Sequence, residues 1–333
     1  MHNGRSAVKG SSMHWYGDAS EELPDGITLC ETQVAGHTAA QGCLGLLKSA
    51  TDGTVLKPTG KVLCGIREIG FYERLRAAQR LENGSDDDSD SCDWMLLELS
   101  KLVPRYYGHP KLPIDGKEVE FIQLEDLTVG YERPCIMDVK IGRRTWDPLA
   151  TPEKRKAEES KYRACRQHFG LCIPGLQAYS VHDEHDRLIR HGRDYGKKLT
   201  EVNIRDAFLV FLNADRNGHV CRELVESLLQ AVRPIQDWSH RQTTFRLYSS
   251  SVLLVYDATR LKQKIHKSLT RDNISPAVQR PWAVAKMIDF AHAFTAEESE
   301  PAPGSERTVD ANYIQGVDSL VAILEQFLDR GPP

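Results

Sequence analysis

The sequence has no run approaching the 18 or so consecutive apolar residues that a bilayer-spanning helix requires; its densest apolar runs, Ala207 to Leu212 and Val252 to Tyr256, have the length of core elements. It has no CxxC pair, its eight cysteines being scattered from Cys30 to Cys221. A chain of 333 residues needs no disulfide scaffold for stability, so the thiols read as reduced and mostly buried. Met1 to Tyr16 lacks an apolar h-region, and no secretory leader is expected. No repeat occurs at a solenoid period. Charge of one sign is also missing: 43 basic and 47 acidic residues leave −4, too little for general capture of nucleic acid. Integral membrane proteins, disulfide frameworks and general nucleic-acid binders are thereby set aside, and any bound anion needs a local patch.

What is present is ordinary globular text, 40% hydrophobic and 27% charged with a mean hydropathy of −0.45. At roughly 150 residues per folding unit the length predicts two lobes. Residues 1–26 are polar and Gly/Ser-punctuated and read as a flexible tail. An N-lobe is expected over 27–126. It has strand-like text at Gln33 to Gly36 and, after the turn dipeptide Asp52-Gly53, at Thr54 to Lys57. A helix is expected over Arg67 to Leu81, with Ile69, Tyr72, Leu75 and Ala78 at spacings of three. Gly84 to Asp93 carries five aspartates and reads as an exposed acidic loop; a helix over Trp94 to Val103 and a strand over Val119 to Leu124 follow. The C-lobe, 127–333, opens on a strand at Pro134 to Ile141. It continues with a basic helix (Thr151 to His168), a hairpin around His182 to Arg193, and helices near Leu199 to Asn213 and Arg222 to His240. Strands at Arg246 to Tyr256 and Ala283 to Phe290 precede a closing amphipathic helix, Val309 to Leu328. The class is mixed α/β (α+β).

Three constellations carry chemistry. On the strand Pro134 to Gly142, alternation puts Ile136, Asp138 and Lys140 on one face and Met137, Val139 and Ile141 on the other. A carboxylate and an ammonium thus project together from a rigid element, although such a pair in isolation also reads as a surface ion pair. In Met287 to His292, Asp289 ends a strand; phosphoryl transfer needs a fixed carboxylate there to hold magnesium, and a turn cap is the other reading. Lys57 on the early strand and Glu68 on the next helix suit a lysine oriented toward nucleotide phosphates. Lys140 to Arg166 holds nine basic residues against four acidic ones, a local patch despite the negative total. On a continuous helix Lys154, Glu158 and Lys161 share a face; a solvated face, or a nuclear-import signal at Lys154-Arg155-Lys156, is the alternative. The spacing of His182, His185 and His191 with Asp183 and Asp186 fits no compact zinc pattern, and Asp215 to Gly218 lacks the rest of a calcium loop; both read as turns.

The run PCIMDVKIG (Pro134 to Gly142) matches the Pro-x-x-x-Asp-x-Lys-x-Gly motif of the inositol polyphosphate kinase family. QVAGH (Gln33 to His37), LEDLT (Leu124 to Thr128) and IDFAH (Ile288 to His292) resemble its multikinase branch, and the likeness extends from about Thr32 to Leu328. The resemblance implies a two-lobed, protein-kinase-like fold with an added helical inositol-binding segment at 150–170 and ATP between the lobes. It implies that Lys57, with Glu68, serves the ATP phosphates, and that Glu125 and Leu127 offer hinge backbone groups to adenine. Asp138 would hold the ribose hydroxyls and organise the site, Lys140 would bridge the transferring phosphate and the acceptor hydroxyl, and Asp289 would bind Mg2+.

Ser250 and Ser251, in the family's Ser-Ser-Leu-Leu position, would face the phosphate region. Lys154 and Lys161 would bind substrate phosphates, and His292 would either do so or be structural. Ala157 and Glu158 stand where the multikinase pattern is glutamine-rich, and Gln177 where an arginine is expected, which bears on substrate preference. Inositol trisphosphate and tetrakisphosphate are the implied acceptors and the pentakisphosphate the product, with phosphoinositide headgroups as further acceptors of an open site. A monomer of nucleus and cytoplasm, not binding nucleic acid directly, is expected. A hexakisphosphate kinase is the alternative within the family; QVAGH and the lack of a long extra N-terminal domain favour the multikinase branch. A non-catalytic adaptor, docking through Asp86 to Asp93 or Arg260 to Lys267, is the alternative outside it.

Overall fold

The computed structural model describes residues 23–36, 44–83, 93–183, 185–267, 281–299 and 308–329. Residues 1–22 of the expected tail, His37, and the acidic loop apart from Asp93 lie outside these residues. The first sheet is antiparallel, its strands being β1 (Ile27–Leu29), β2 (Leu47–Ser49), β3 (Thr54–Pro58), β4 (Tyr106–Gly108), β5 (Lys111–Ile114) and β6 (Lys117–Glu125). Their order is β1-β2-β3-β6-β4, with β5 also on β6. Leu47, Leu56, Ile114 and Phe121 close a small core of their own. Between β3 and β4 run α1 (Val62–Asn83) and α2 (Trp94–Leu102). Asp93 caps α2 by accepting the Met95 and Leu96 N–H groups.

The second sheet begins with β7 (Pro134–Ile141). There follow α3 (Pro152–Ser160), α4 (Arg163–Phe169), β8 (Leu171–Tyr179), β9 (Leu188–His191), α5 (Arg193–Gly196), α6 (Ile204–Phe211) and α7 (Arg222–Arg241). The chain continues through β10 (Phe245–Leu247), β11 (Ser251–Asp257), α8 (Ala258–Lys267), β12 (Ala283–Ile288), β13 (Ala293–Thr295), α9 (Ala296–Ser299) and α10 (Ala311–Glu325). The order β12-β11-β7-β8-β9 puts β7 in the middle, where every residue but the half-buried Lys140 is buried. A strand covered on both faces must be apolar almost throughout. Met137, Val139 and Ile141 join the main core. α7 and α10 back that core with Leu228, Val232, Ile235 and Trp238, and with Val317, Leu320 and Leu324, at helical spacing.

Several elements differ from the sequence expectation, each for a physical reason. Gln33 to Gly36 is not a strand; β3 pairs with β2 and β6. The segment is held by side chains instead, the Glu31 carbonyl accepting from Arg190 at 2.6 Å and the Gly36 carbonyl from Arg193. It passes so close to β8 that a Cβ at Gly175 would lie 1.9 Å from the Val34 carbonyl oxygen, so only glycine fits. α1 starts at Val62 rather than Arg67, because Val62, Leu63 and Ile66 are exposed and blur the apolar period. The basic helix is broken into α3 and α4 at Tyr162, whose φ is 53°. The buried Arg166 seals the break by donating to the Glu158 carbonyl at 2.6 Å and the Lys161 carbonyl at 3.0 Å, groups that a helix end leaves unsatisfied. The expected strand Arg246 to Tyr256 divides at Ser249 (φ 59°), β10 leaving the sheet to pair with β13. α6 is also shorter than Leu199 to Asn213. The described cysteines are free, but only Cys135, Cys165 and Cys172 are buried; Cys30, Cys64 and Cys221 are partly exposed.

Candidate active site

Lys57 near the end of β3 and Glu68 on α1 meet Asp289 just beyond β12. Lys57 Nζ lies 2.7 Å from Glu68 Oε1 and 2.6 Å from Asp289 Oδ1, joining positions 232 residues apart. Glu68 Oε1 also accepts the Phe290 N–H at 2.9 Å, and the Phe290 ring stacks on Phe71 of α1 at 3.9 Å. These contacts hold Asp289 at φ 66°, a conformation uncommon for a residue with a side chain. Burial alone would depress the Lys57 ammonium, but the Asp289 and Glu68 carboxylates overcome it and lift its pKa above the ordinary lysine value. Burial would likewise raise Asp289, yet the neighbouring Lys57 and Lys140 hold it low.

Asp138 and Lys140 of β7 stand opposite Leu253 and Ser251 of β11, and Ser251 is paired on its other side with Ile288, the residue before Asp289. Lys140 Nζ donates to the Ser249 carbonyl and hydroxyl oxygens, each at 3.0 Å. Asp138 is 5% exposed. Its burial, and then the negative charge of Asp289, push its carboxyl up to about 6, with Lys140 offsetting part of the rise. Asp138 Oδ1 and Ser251 Oγ are buried without a hydrogen-bond partner among the described residues, a cost that a bound polar ligand would remove. The two serines separate: Ser251 shares the face of Lys140, whereas Ser250 takes the opposite one, its hydroxyl against the buried Tyr313 phenol. Of the two serines expected on one side, only Ser251 shares the face of Asp138 and Lys140, since neighbouring residues along a strand point to opposite faces.

At the end of β6, Glu125 pairs with Thr54 and its N–H donates to the Arg105 carbonyl at 2.8 Å. Asp126 accepts the Thr128 N–H and hydroxyl at 2.8 and 2.6 Å, turning the chain so that Leu127 packs beside Ile136 and Val255, with Val34, Leu253 and Val284 around them. A packed apolar cluster, with Leu253 opposite Asp138, therefore adjoins that carboxylate.

On the basic side, Lys154 Nζ is 3.8 Å from Asp147 Oδ2 and Lys161 Nζ is 2.7 Å from Glu158 Oε1. The continuous-helix argument for these lysines fails, because Lys161 caps α3 rather than lying on it. His292 Nδ1 is 2.5 Å from the same Asp147 Oδ2; burial and then Lys154 lower its pKa, with Asp147 opposing. Asp147 and Ser249 were not singled out in the sequence. Asp147-Pro148 is legible only as a turn signal, which it is, Asp147 Oδ1 accepting the Leu149 N–H at 3.0 Å.

The other polar clusters are occupied elsewhere. His182 Nε2 is 2.9 Å from the Asn213 carbonyl, Asp186 pairs with Arg133 and Lys262, and Asp215 accepts the Asn217 and His219 N–H groups in a turn.

Against known proteins, the family model for inositol polyphosphate kinase matches residues 121–325. Human inositol polyphosphate multikinase is 35% identical over 228 residues, 68% of this chain and 50% of that one. Rat inositol hexakisphosphate kinase 1 is 27% identical over 280 residues, covering 76% and 62% respectively. The chain spans about half the length of the curated multikinases it matches. Among solved structures, the Saccharomyces cerevisiae inositol phosphate multikinase Ipk2 in complex with ADP and Mn2+ superposes with a TM-score of 0.56 at 21% identity, over 83% of this chain and 99% of that one. That likeness establishes the two-lobed kinase-like α+β architecture. The family match begins inside β6, runs through Asp138, Lys140 and Asp289, and ends with α10, so the chain belongs to the inositol polyphosphate kinase family.

Proposed function

We propose that the protein is an ATP-dependent inositol polyphosphate multikinase, transferring the γ-phosphoryl group of ATP to hydroxyls of inositol trisphosphate and tetrakisphosphate to give the pentakisphosphate. One observation carries this reading: Lys57, Glu68 and Asp289 converge within 2.7 Å contacts beside the Asp138–Lys140 strand. A divalent cation fits the site, because Asp289 is a hard oxygen donor of the kind Mg2+ prefers, while the buried Asp138 Oδ1, without a hydrogen-bond partner among the described residues, is left to hold the ribose hydroxyls. When bound, Mg2+ would neutralise charge on the nucleotide phosphates.

The residues of the chain then have distinct tasks. Lys57, kept in place by Glu68, grips a phosphate oxygen. The Glu125 carbonyl and Leu127 N–H hold adenine beside the apolar cluster. Lys140, fixed by two Ser249 oxygens, sits where acceptor hydroxyl and transferring phosphoryl meet and stabilises the charge that spreads there; such pre-set electrostatics supplies most of the acceleration in phosphoryl transfer. Lys154, Lys161 and His292 hold acceptor phosphates, drawing away from Asp147 and Glu158 as they do so. Gln177 is buried and donates to the Pro134 carbonyl at 2.8 Å, so the acceptor is gripped without a cation from that position.

The test is incubation with Mg2+, ATP and a panel of inositol phosphates and phosphoinositides, with identification of product isomers. Pentakisphosphate made from the trisphosphate supports the reading. Pyrophosphates made from the hexakisphosphate would move the chain to the hexakisphosphate kinase branch, and no transfer to any acceptor would overturn it.

A further inference from the structure

The far side of α3 encloses a second basic cleft. Lys154 and Glu158 belong to the side of Asp147 and Thr145, whereas Lys156, Glu159 and Ser160 line a cleft of about 570 Å3 with Arg163 of α4 and the turn after β7. None of the residues placed in the kinase site lines it. Its wall is built rather than incidental. The Arg144 guanidinium lies 3.6 Å over the Trp146 ring, and the indole N–H donates to Glu159 Oε1 at 3.1 Å. Asn312 clamps the Arg144 backbone, accepting its N–H at 2.7 Å and donating to its carbonyl at 3.0 Å.

Charge is what sets this cleft apart. The Arg166 side chain is buried and all its hydrogen bonds go to backbone carbonyls, none to a carboxylate. Arg143, Lys156 and Arg163 are exposed and make no ion pair among the described residues. With Arg144, five cations face one carboxylate, Glu159. On the catalytic side, by contrast, Lys154 and Lys161 each rest on a carboxylate. Uncancelled like charges repel one another, and a compact polyanion relieves that repulsion. Arginine forks match phosphate oxygens in pairs, and the volume is that of a small-ligand site.

We propose that this cleft binds a compact, multiply phosphorylated anion, an inositol polyphosphate either free or as a lipid headgroup, independently of the kinase cleft. Only the choice of probe rests on the kinase reading. The experiment is calorimetric titration of the full chain with inositol hexakisphosphate in the absence of ATP. Arg143→Ala, Lys156→Ala and Arg163→Ala together should remove one binding event, at about tenfold in affinity per cation, and leave turnover unchanged. Lys140→Ala with Lys154→Ala and Lys161→Ala should abolish turnover and retain that event.

Arg166 is left intact because it carries the α3–α4 junction and Asn312 because it holds the Arg144 backbone, and a matching thermal transition checks that the cleft variant is folded. Sedimentation with phosphatidylcholine vesicles containing phosphatidylinositol bisphosphate, or phosphatidylserine at equal charge, separates the sources. Capture by the former alone, lost in the cleft variant, assigns a headgroup; soluble binding without capture assigns the free anion. The proposal is overturned if the cleft variant titrates like the wild type, if the catalytic-face variant loses all binding, or if phosphatidylserine captures the protein equally. Failure of the kinase reading would appear separately, as absence of product with the cleft titration unchanged.

Discussion

The two faces of β7 are made by alternate residues of one strand, and they treat their neighbours in opposite ways. Met137, Val139 and Ile141 are fully buried against the helical side, in the core that holds Trp238, Leu320 and Leu324. The other face crowds Asp138 toward Asp289, leaves Asp138 Oδ1 and Ser251 Oγ without hydrogen-bond partners among the described residues, and is bordered by Ser249 and Asp289 in left-handed backbone. One face supplies stability that the other, with buried polar atoms left unpaired, gives up. Substitutions on the two faces should therefore separate activity from stability.

The largest effect is expected on the charged face. Lys140→Ala or Asp289→Asn should lower turnover by about a thousandfold or more; the urea midpoint should change little in the first and fall in the second, which takes a carboxylate from Lys57, and either variant keeping full turnover would break the comparison. On the apolar side, Trp238→Ala should cost about 3–5 kcal/mol in urea unfolding, since it empties a fully buried site and removes the indole N–H bond to the Met95 carbonyl, 3.1 Å long. Turnover per folded molecule should be unchanged there.

Asp138 sharpens the contrast through pH. Its folded pKa, about 6, lies above the ordinary 3.8, so the native state holds the proton more tightly than the unfolded chain does. Stability without ligands should then be highest below pH ~4 as far as this group is concerned, and fall by about 3 kcal/mol as pH rises through ~6. Asp138→Asn cannot titrate and should flatten that slope, with greater stability near neutrality and little activity. Urea midpoints measured across this range decide it; an unchanged slope in the variant would assign the pH dependence to other groups.

This division was partly legible in the sequence. Period-two alternation assigned each residue of Pro134 to Ile141 to its face, and the strand-to-helix distance from Lys57 to Glu68 allowed their contact. The convergence of Asp289 on Lys57 across 232 positions has no local period, and only resemblance to a family foretold it. The break between α3 and α4 was hidden because it depends on Arg166 reaching back to the α3 carbonyls; in the text Arg166 is one more basic residue. Gln33 to Gly36 reads as strand for the same reason, its anchors Arg190 and Arg193 lying far along the chain.

Ser249 offers the finest test, because it contributes to both sides of the comparison. At φ 59° a residue with a Cβ costs roughly 1–2 kcal/mol, and glycine would relieve this while losing about 0.5–1 kcal/mol more entropy on folding. Ser249→Gly should thus gain about 0.5–1 kcal/mol in the backbone. The same change deletes one of the two oxygens that fix Lys140 but leaves the carbonyl. Losing one such bond costs about 1 kcal/mol, so the thermal midpoint should stay near that of the parent while turnover falls about fivefold, far short of Lys140→Ala. A near-constant midpoint with lower turnover is the outcome expected of a strained residue kept for its contact with Lys140. A lower midpoint with unaltered turnover would place Ser249 on the structural side instead.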